Sequence, residues 1–186
     1  MEHIDPKRLL VQIAKILERL KIPYIITGGI AVLVWGRPRF TADIDIVVEI
    51  DYRDIRRLER ALRELSEAGY VDRAAMERAL AKQGEFNFID GETGVKVDFW
   101  VFKNDPFDRS RFKRKVAKKI AGQRIYFTSP EDLILIKLRW HGESQSSRQL
   151  EDVESILKIS GKELNMKYLT KWAKKMGVSH ILKKLA

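Results

Sequence analysis

The sequence predicts an α+β fold: a mixed β-sheet with flanking helices, followed by a carboxyl-terminal helical bundle. Three observations predict it. Short β-rich runs bounded by glycine, proline and Asp-Gly turns recur between residues 24 and 128. Apolar residues at three- and four-residue spacing precede and separate those runs. From Ser129 onward the apolar pattern is helical throughout. The expected organisation is a sheet-containing core over 1–128 and a helical region over 129–186 packed on it.

Asp5-Pro6 opens the first helix as a cap followed by a first-turn proline, and Leu9, Leu10, Ile13, Leu17 and Leu20 carry its stripe to about Lys21. Tyr24-Ile25-Ile26-Thr27 is a buried strand that feeds the Gly28-Gly29 turn, and Ile30 to Trp35 starts a short helix. After the break at 36–39, Ala42 to Ile50 is a second strand. Its alternation puts Asp43 and Asp45 on one face and Ile44 and Ile46 on the other. Asp51 caps a helix with the stripe Ile55, Leu58, Ala61, Leu62 and Leu65, closed by Gly69, and a further helical piece spans Asp72 to Lys82. Phe86 to Ile89 and Val95 to Phe102 flank a turn-rich join and form a hairpin with Asp98 in its second strand. A second strand pair covers Lys115 to Ile120 and Arg124 to Thr128. Ser129-Pro130 then caps a helix carrying Leu133, Ile136, Lys137 and Trp140. Helices over Ser147 to Ile159 and Asn165 to Met176, each closed by a glycine, precede a short terminal one.

The 186 residues, 45% of them apolar, suffice for one substantial core. No apolar run approaches the roughly 20 residues of a spanning helix. The start, with Glu2, His3 and Asp5, lacks a basic, apolar signal, so a cytoplasmic protein without membrane contact is expected. With no cysteine and only His3, His141 and His180, thiol chemistry and zinc spacing are excluded, and any metal must be held by oxygen. Lysine and arginine number 36 against 26 acids, a formal charge of +10 that favours polyanionic partners. The excess gathers in Lys103 to Arg124, where Arg109, Arg111, Lys113, Arg114, Lys115, Lys118 and Lys119 crowd together. It gathers again at Lys171, Lys174, Lys175, Lys183 and Lys184. Solvated faces and a nucleic-acid surface both fit these runs.

Asp43 and Asp45 side by side, with a third carboxylate from another strand, would repel one another unless cations intervened. Magnesium suits such hard oxygen donors, with substrate phosphates completing its shell, and two ions can serve the attacking and leaving oxygens together; Mn2+ fits the same donors. A glycine turn leading into a helix lets backbone amides approach a phosphate, the role that fits Gly28-Gly29. Taken alone, each feature also has an ordinary structural reading.

The ordered set Thr27-Gly28-Gly29-Ile30-Ala31, Arg39-Phe40-Thr41-Ala42-Asp43-Ile44-Asp45 and Val97-Asp98-Phe99 resembles the signature of the DNA polymerase beta-type nucleotidyltransferase superfamily. Many members have Gly-Ser where this chain has Gly28-Gly29; the Gly-Gly form occurs in antibiotic nucleotidyltransferases and in the abortive-infection type toxin branch. The segments Ser129-Pro130-Glu131-Asp132-Leu133, Lys137-Leu138 and Arg148-Gln149-Leu150-Glu151-Asp152-Val153 look like that toxin branch. The resemblance implies a nucleotidyltransferase core over 1–128 that moves a nucleoside monophosphate from a triphosphate, ATP among them, to an acceptor hydroxyl and releases pyrophosphate. By similarity Asp43, Asp45 and Asp98 bind two magnesium ions, with Asp98 helping to activate the acceptor. Thr27, Gly28, Gly29, Arg39 and Lys137 would meet the nucleotide, and Lys137 and Asp152 would join the catalytic set. For the last two, a surface lysine on an amphipathic helix and an early-turn acid are the ordinary alternatives. Arg148 is a further phosphate candidate. RNA, tRNA-like in kind, is the favoured acceptor ahead of protein, and a cognate antitoxin would be a partner. Two other readings stay open: a non-catalytic or partner-controlled module that binds nucleic acid or protein, and an antibiotic nucleotidyltransferase whose acidic cleft would draw on Glu85, Glu92 and Glu131.

Overall fold

Helix α1 (Pro6–Arg19) buries Leu9, Leu10, Ile13, Ala14, Ile16 and Leu17 along one stripe, as its spacing predicts. In this computed structural model residues 6–185 are described, so the Asp5 cap lies outside the described residues. The helix stops short of Lys21, which turns the chain with φ +58 into β1 (Tyr24–Thr27). Helix α2 (Gly28–Trp35) follows directly, then β2 (Asp43–Val48). Helix α3 (Tyr52–Leu65) starts at a reciprocal cap in which Asp51 accepts from the Arg53 amide and Asp54 accepts from the Asp51 amide. A two-residue strand, β3 (Tyr70–Val71), and α4 (Arg73–Lys82), capped by Asp72, come next. The hairpin β4 (Glu85–Ile89) and β5 (Lys96–Val101) is followed by α5 (Pro106–Lys113) and a second hairpin, β6 (Val116–Ile120) and β7 (Gln123–Phe127). Its turn residues Ala121 and Gly122 both have positive φ, the geometry that matches strand twist.

The seven strands among the described residues form one sheet in the order β3-β4-β5-β2-β1-β7-β6. β1 runs antiparallel to β2 and parallel to β7, while β2 runs parallel to β5, so the sheet is mixed. One face is apolar: Ile44, Ile46, Val97, Phe99, Phe86 and Phe88 are buried there, with Phe86 and Phe99 stacked at 4.9 Å. Asp43, Asp45, Lys96, Asp98, Glu85 and Asn87 alternate onto the other.

The chain divides into two compact units. The first runs through Ile30, resumes over Thr41–Phe127 and holds the whole sheet. The second comprises Ala31–Phe40 and the chain from Thr128, and among the described residues it is helical: α6 (Pro130–Ser144), α7 (Ser147–Ser160), a 3-10 turn (Gly161–Glu163), α8 (Met166–Lys175) and α9 (Ser179–Leu185). Ser129 caps α6 as its Ser-Pro sequence predicts, and α6 packs on α7 and α8. Residues 31–40 are tied into this unit by Trp35, whose indole donates to the Thr128 carbonyl at 2.8 Å and whose carbonyl accepts from Ser160 at 2.7 Å. No helix among the described residues is long and apolar enough to cross a membrane.

Candidate active site

Strand alternation and register together assemble the carboxylates. Asp43 and Asp45 project from one face of β2, and the parallel register sets Asp98 of β5 opposite Asp45 and Lys96 opposite Asp43. Thr27 of β1 is the other register neighbour of Asp45, and Asn87 of β4 that of Asp98. Lys96 Nζ lies 2.8 Å from Asp98 Oδ2. This hydrogen bond, helped by the charges of Asp98, Asp43 and Glu85 and opposed by burial, holds the ammonium above the usual lysine range. Glu85 is pushed above the ordinary carboxylate value by burial first, then by the charges of Asp98 and Asp45, with Lys96 opposing. Negative charge therefore accumulates on this face.

The donors are hard oxygens on neighbouring strands in a field that favours cations, which suits magnesium or manganese. Among the described residues no three acids or histidines close into a metal-ligating group, and Asp98 is engaged by Lys96 instead.

The glycine turn meets this face directly. Gly28 has φ +60, and a Cβ built on it would lie 1.8 Å from Asp45 Oδ2. The carboxylate thus occupies the space that a side chain at position 28 would need, and α2 begins at the same residue with its amides unpaired within the helix. Thr27, 2% exposed, has a hydroxyl with no hydrogen-bond partner among the described residues. A buried, unsatisfied hydroxyl next to Asp45 and a helix amino terminus is a ready contact for an anionic ligand. Gly28→Ala is expected to lower stability by about 1–2 kcal/mol from backbone strain alone and to displace Asp45. Thermal unfolding and triphosphate binding, measured together, would both fall; unchanged binding would mean that the close approach has no part in the site.

In the helical unit, Arg39 forks onto Asp152, donating from Nε to Oδ1 at 2.6 Å and from Nη2 to Oδ2 at 2.8 Å, and Lys137 Nζ lies 2.8 Å from the same Oδ2. Lys137 is 3% exposed and Asp152 2%. That burial overturns the reading of Lys137 as a surface lysine, and it ties Asp152, read as an early-turn acid, to two cations. Burial alone would raise the Asp152 carboxyl, but the hydrogen bonds and charges of Arg39 and Lys137 outweigh it and hold it below the usual range. Arg148 donates to the Phe40 carbonyl at 2.9 Å, as Arg39 does at 3.0 Å.

The predicted residues thus fall into two groups. Thr27, Gly28, Gly29, Asp43, Asp45 and Asp98 share the first unit, and Arg39, Lys137 and Asp152 share the second. Lys96 was not anticipated, although Lys-x-Asp on an alternating strand already places both side chains on one face. Of the acids suggested for a drug-binding cleft, only Glu85 joins the carboxylates. Glu92 sits exposed in the β4–β5 turn, and Glu131 is buried in the other unit, accepting from the Asn165 amide at 2.8 Å.

A family model described as nucleotidyl transferase AbiEii toxin, type IV TA system, matches residues 8–180. No curated protein matches the sequence. Among solved structures, ANT(2″)-Ia in complex with adenylyl-2″-tobramycin is similar with TM-score 0.59 and 16% identity, over 91% of this chain and 97% of that one. An antigenic nucleotidyltransferase-like protein from Paracoccidioides brasiliensis is similar with TM-score 0.57 and 21% identity, over 82% and 75%. The lincosamide antibiotic adenylyltransferase LnuA, lincomycin-bound, gives 0.55 and 16%, over 82% and 96%. These likenesses show a shared nucleotidyltransferase fold.

Proposed function

This chain belongs to the AbiEii nucleotidyltransferase toxin family, and from that membership we propose that it transfers a nucleoside monophosphate from a triphosphate, ATP among them, to an acceptor hydroxyl on RNA. The observation that carries the proposal is the meeting of Gly28 with Asp45, whose carboxylate oxygen fills the space of the missing side chain. A phosphate-binding turn and a cation-binding carboxylate are thereby adjacent.

In this reading Gly28 and Gly29 present backbone amides to the phosphates, reinforced by the amino terminus of α2, and the Thr27 hydroxyl supplies one more hydrogen bond. Asp43, Asp45 and Asp98 would hold two magnesium ions, which supply charge neutralisation at the phosphates and lower the pKa of the acceptor hydroxyl. Asp98 takes the acceptor proton on a carboxylate oxygen. The acceptor oxygen forms its bond to the α-phosphorus as the bond to pyrophosphate breaks, and pyrophosphate leaves. Within the helical unit, Asp152, gripped from the other side by Arg39, sets the position of the Lys137 charge, the group that the family resemblance assigns to the nucleotide.

RNA is favoured over a cationic drug by the net charge of +10 and by where the charge lies. Lys118 and Lys119 are exposed on β6, and Lys115 stacks over Tyr126 at 4.3 Å. Lys7, Arg8 and Lys15 of α1 line an open cleft of about 360 Å³ with Ala121 of the hairpin turn, and its lining among the described residues holds no acid. Arg111 is the exception in that segment, buried in an ion pair with Asp108 at 2.8 Å. The toxin family also implies a cognate antitoxin, which would restrain the activity in a cytoplasmic setting.

The test is to incubate the protein with each α-labelled triphosphate, magnesium and total cellular RNA, beside Asp43→Asn. Acid-insoluble, nuclease-sensitive label that depends on Asp43 is the expected result, and it would name the nucleotide. Label resistant to nuclease but lost to protease would move the acceptor to protein. No transfer, with salt-sensitive RNA binding that needs neither magnesium nor triphosphate, would favour a binding module instead.

A further inference from the structure

On strands β2, β4 and β5, four carboxylates, Asp43, Asp45, Glu85 and Asp98, share their sheet face with one lysine that the function proposed above does not use. Lys96 stands two residues before Asp98 on β5 and is the register partner of Asp43, so strand geometry fixes its Cβ among the acids. Its ammonium lies 2.8 Å from Asp98 Oδ2. The side chains differ in freedom: Lys96 is 39% exposed and Asp98 14%. The acid is held within the face, whereas the lysine reaches it on a flexible four-carbon stem that solvent also touches.

We propose that Lys96 is a resident counter-cation of the carboxylate face, competing with divalent metal for Asp98, so that metal binding requires the ammonium to swing away. The inference rests on the reading of Asp43, Asp45 and Asp98 as metal ligands. An ammonium and a divalent ion both seek the lone pairs of one carboxylate and repel each other at that distance. Without a cation the acids that strand register gathers on this face repel one another. Lys96 relieves that repulsion in the metal-free protein and thereby opposes the ion that would relieve it more fully. The exchange is cheap for the fold, because a half-exposed lysine leaves its partner by rotating its own stem without disturbing the strand.

Two consequences of opposite sign follow from removing the charge. Lys96→Met should lower the melting temperature of the metal-free protein, since the acids lose their counter-ion. The same substitution should tighten Mn2+ binding by about fivefold, the ratio that a partly exposed ion pair of about 1 kcal/mol supports. Lys96→Arg, which keeps the charge, should stay within about twofold of the wild type, far inside the range a lost ion pair would open.

Isothermal titration with Mn2+ on the full chain, in the absence of nucleotide, reads the affinities directly. Thermal unfolding in chelator reads the metal-free stability, and Lys96→Gln serves as a second neutral variant if the Met variant folds poorly. Tighter Mn2+ binding in both neutral variants, with a lower metal-free melting temperature, supports the competition. Equal or weaker binding in the neutral variants, with wild-type binding intact, overturns it and leaves the metal site standing. If neither the wild type nor the neutral variants bind Mn2+, the metal reading falls and this proposal falls with it.

Discussion

Asp45→Asn is expected to lower nucleotidyl transfer by at least about 10²–10³-fold, the scale on which a single electrostatic contributor to a transition state is felt, while leaving the fold intact. The asparagine has the same shape, so it still fits against Gly28, where no side chain competes for the space. It also removes one of the charges that push Glu85 upward, and the metal-free protein should be as stable as the wild type or slightly more so. Asp43→Asn should behave in the same way. The paired measurement is label transfer at saturating magnesium with thermal unfolding in chelator. Near-normal turnover in either variant would show that the metal assignment of that residue is wrong, and a large loss of stability would show that its carboxylate is a structural element instead.

Asp152→Ala should strongly destabilise the molecule's helical unit. Lys137 is 4% exposed along its side chain and shares the Asp152 carboxylate with Arg39, so truncation strips a buried ammonium of an anion 2.8 Å away. Breaking a buried pair from one side costs about 3–5 kcal/mol, or roughly 6–20 °C in melting temperature for a chain of this size. Asp152→Asn keeps an acceptor and should cost less. The sign of the pH dependence follows from the carboxyl being held below its ordinary value of 3.8 in the folded protein. Its contribution is present above the unfolded value and is lost as pH falls through the folded one. The stability gap between wild type and Asp152→Ala should therefore be full at neutral pH and narrow in acid below about pH 4. A gap that is small at neutral pH would mean that Lys137 finds other anions and that the pair does not hold the unit together.

Much of the sheet was legible because its signals are local. The alternation of Asp43-Ile44-Asp45-Ile46 assigns faces without knowledge of any neighbour, and Asp51, Asp72 and Ser129 announce helix starts through their own side chains. What escaped lies between distant residues or below the length at which a pattern exists. Two residues, Tyr70 and Val71, are too few for alternation, so β3 was not foreseen. Helix α5 begins with Asp105-Pro106, a cap-and-proline signal of the same kind as Ser129-Pro130 in α6, but its charged residues hide the apolar stripe and the segment reads as part of a basic run. The register that sets Asp98 beside Asp45 is a choice among parallel offsets, which the sequence leaves open. The burial of Lys137 did have a signal. Leu133 to Leu138 is apolar on every side of the helix except at the lysine, the mark of an element covered all round.

The two margins of the sheet have a bearing on how the protein behaves at high concentration. Strand edges carry unpaired amides and carbonyls, which a neighbouring copy can extend into a fibre. Here one margin, β3, is two residues long and gives an incoming strand too little to grip. The other, β6, presents consecutive lysines, so a second copy approaching edge to edge meets its own charge. The lysines of this hairpin therefore disfavour edge-to-edge pairing between copies of the chain. Acidic substitutions at Lys118 and Lys119 would let one copy's margin attract the basic residues of the next.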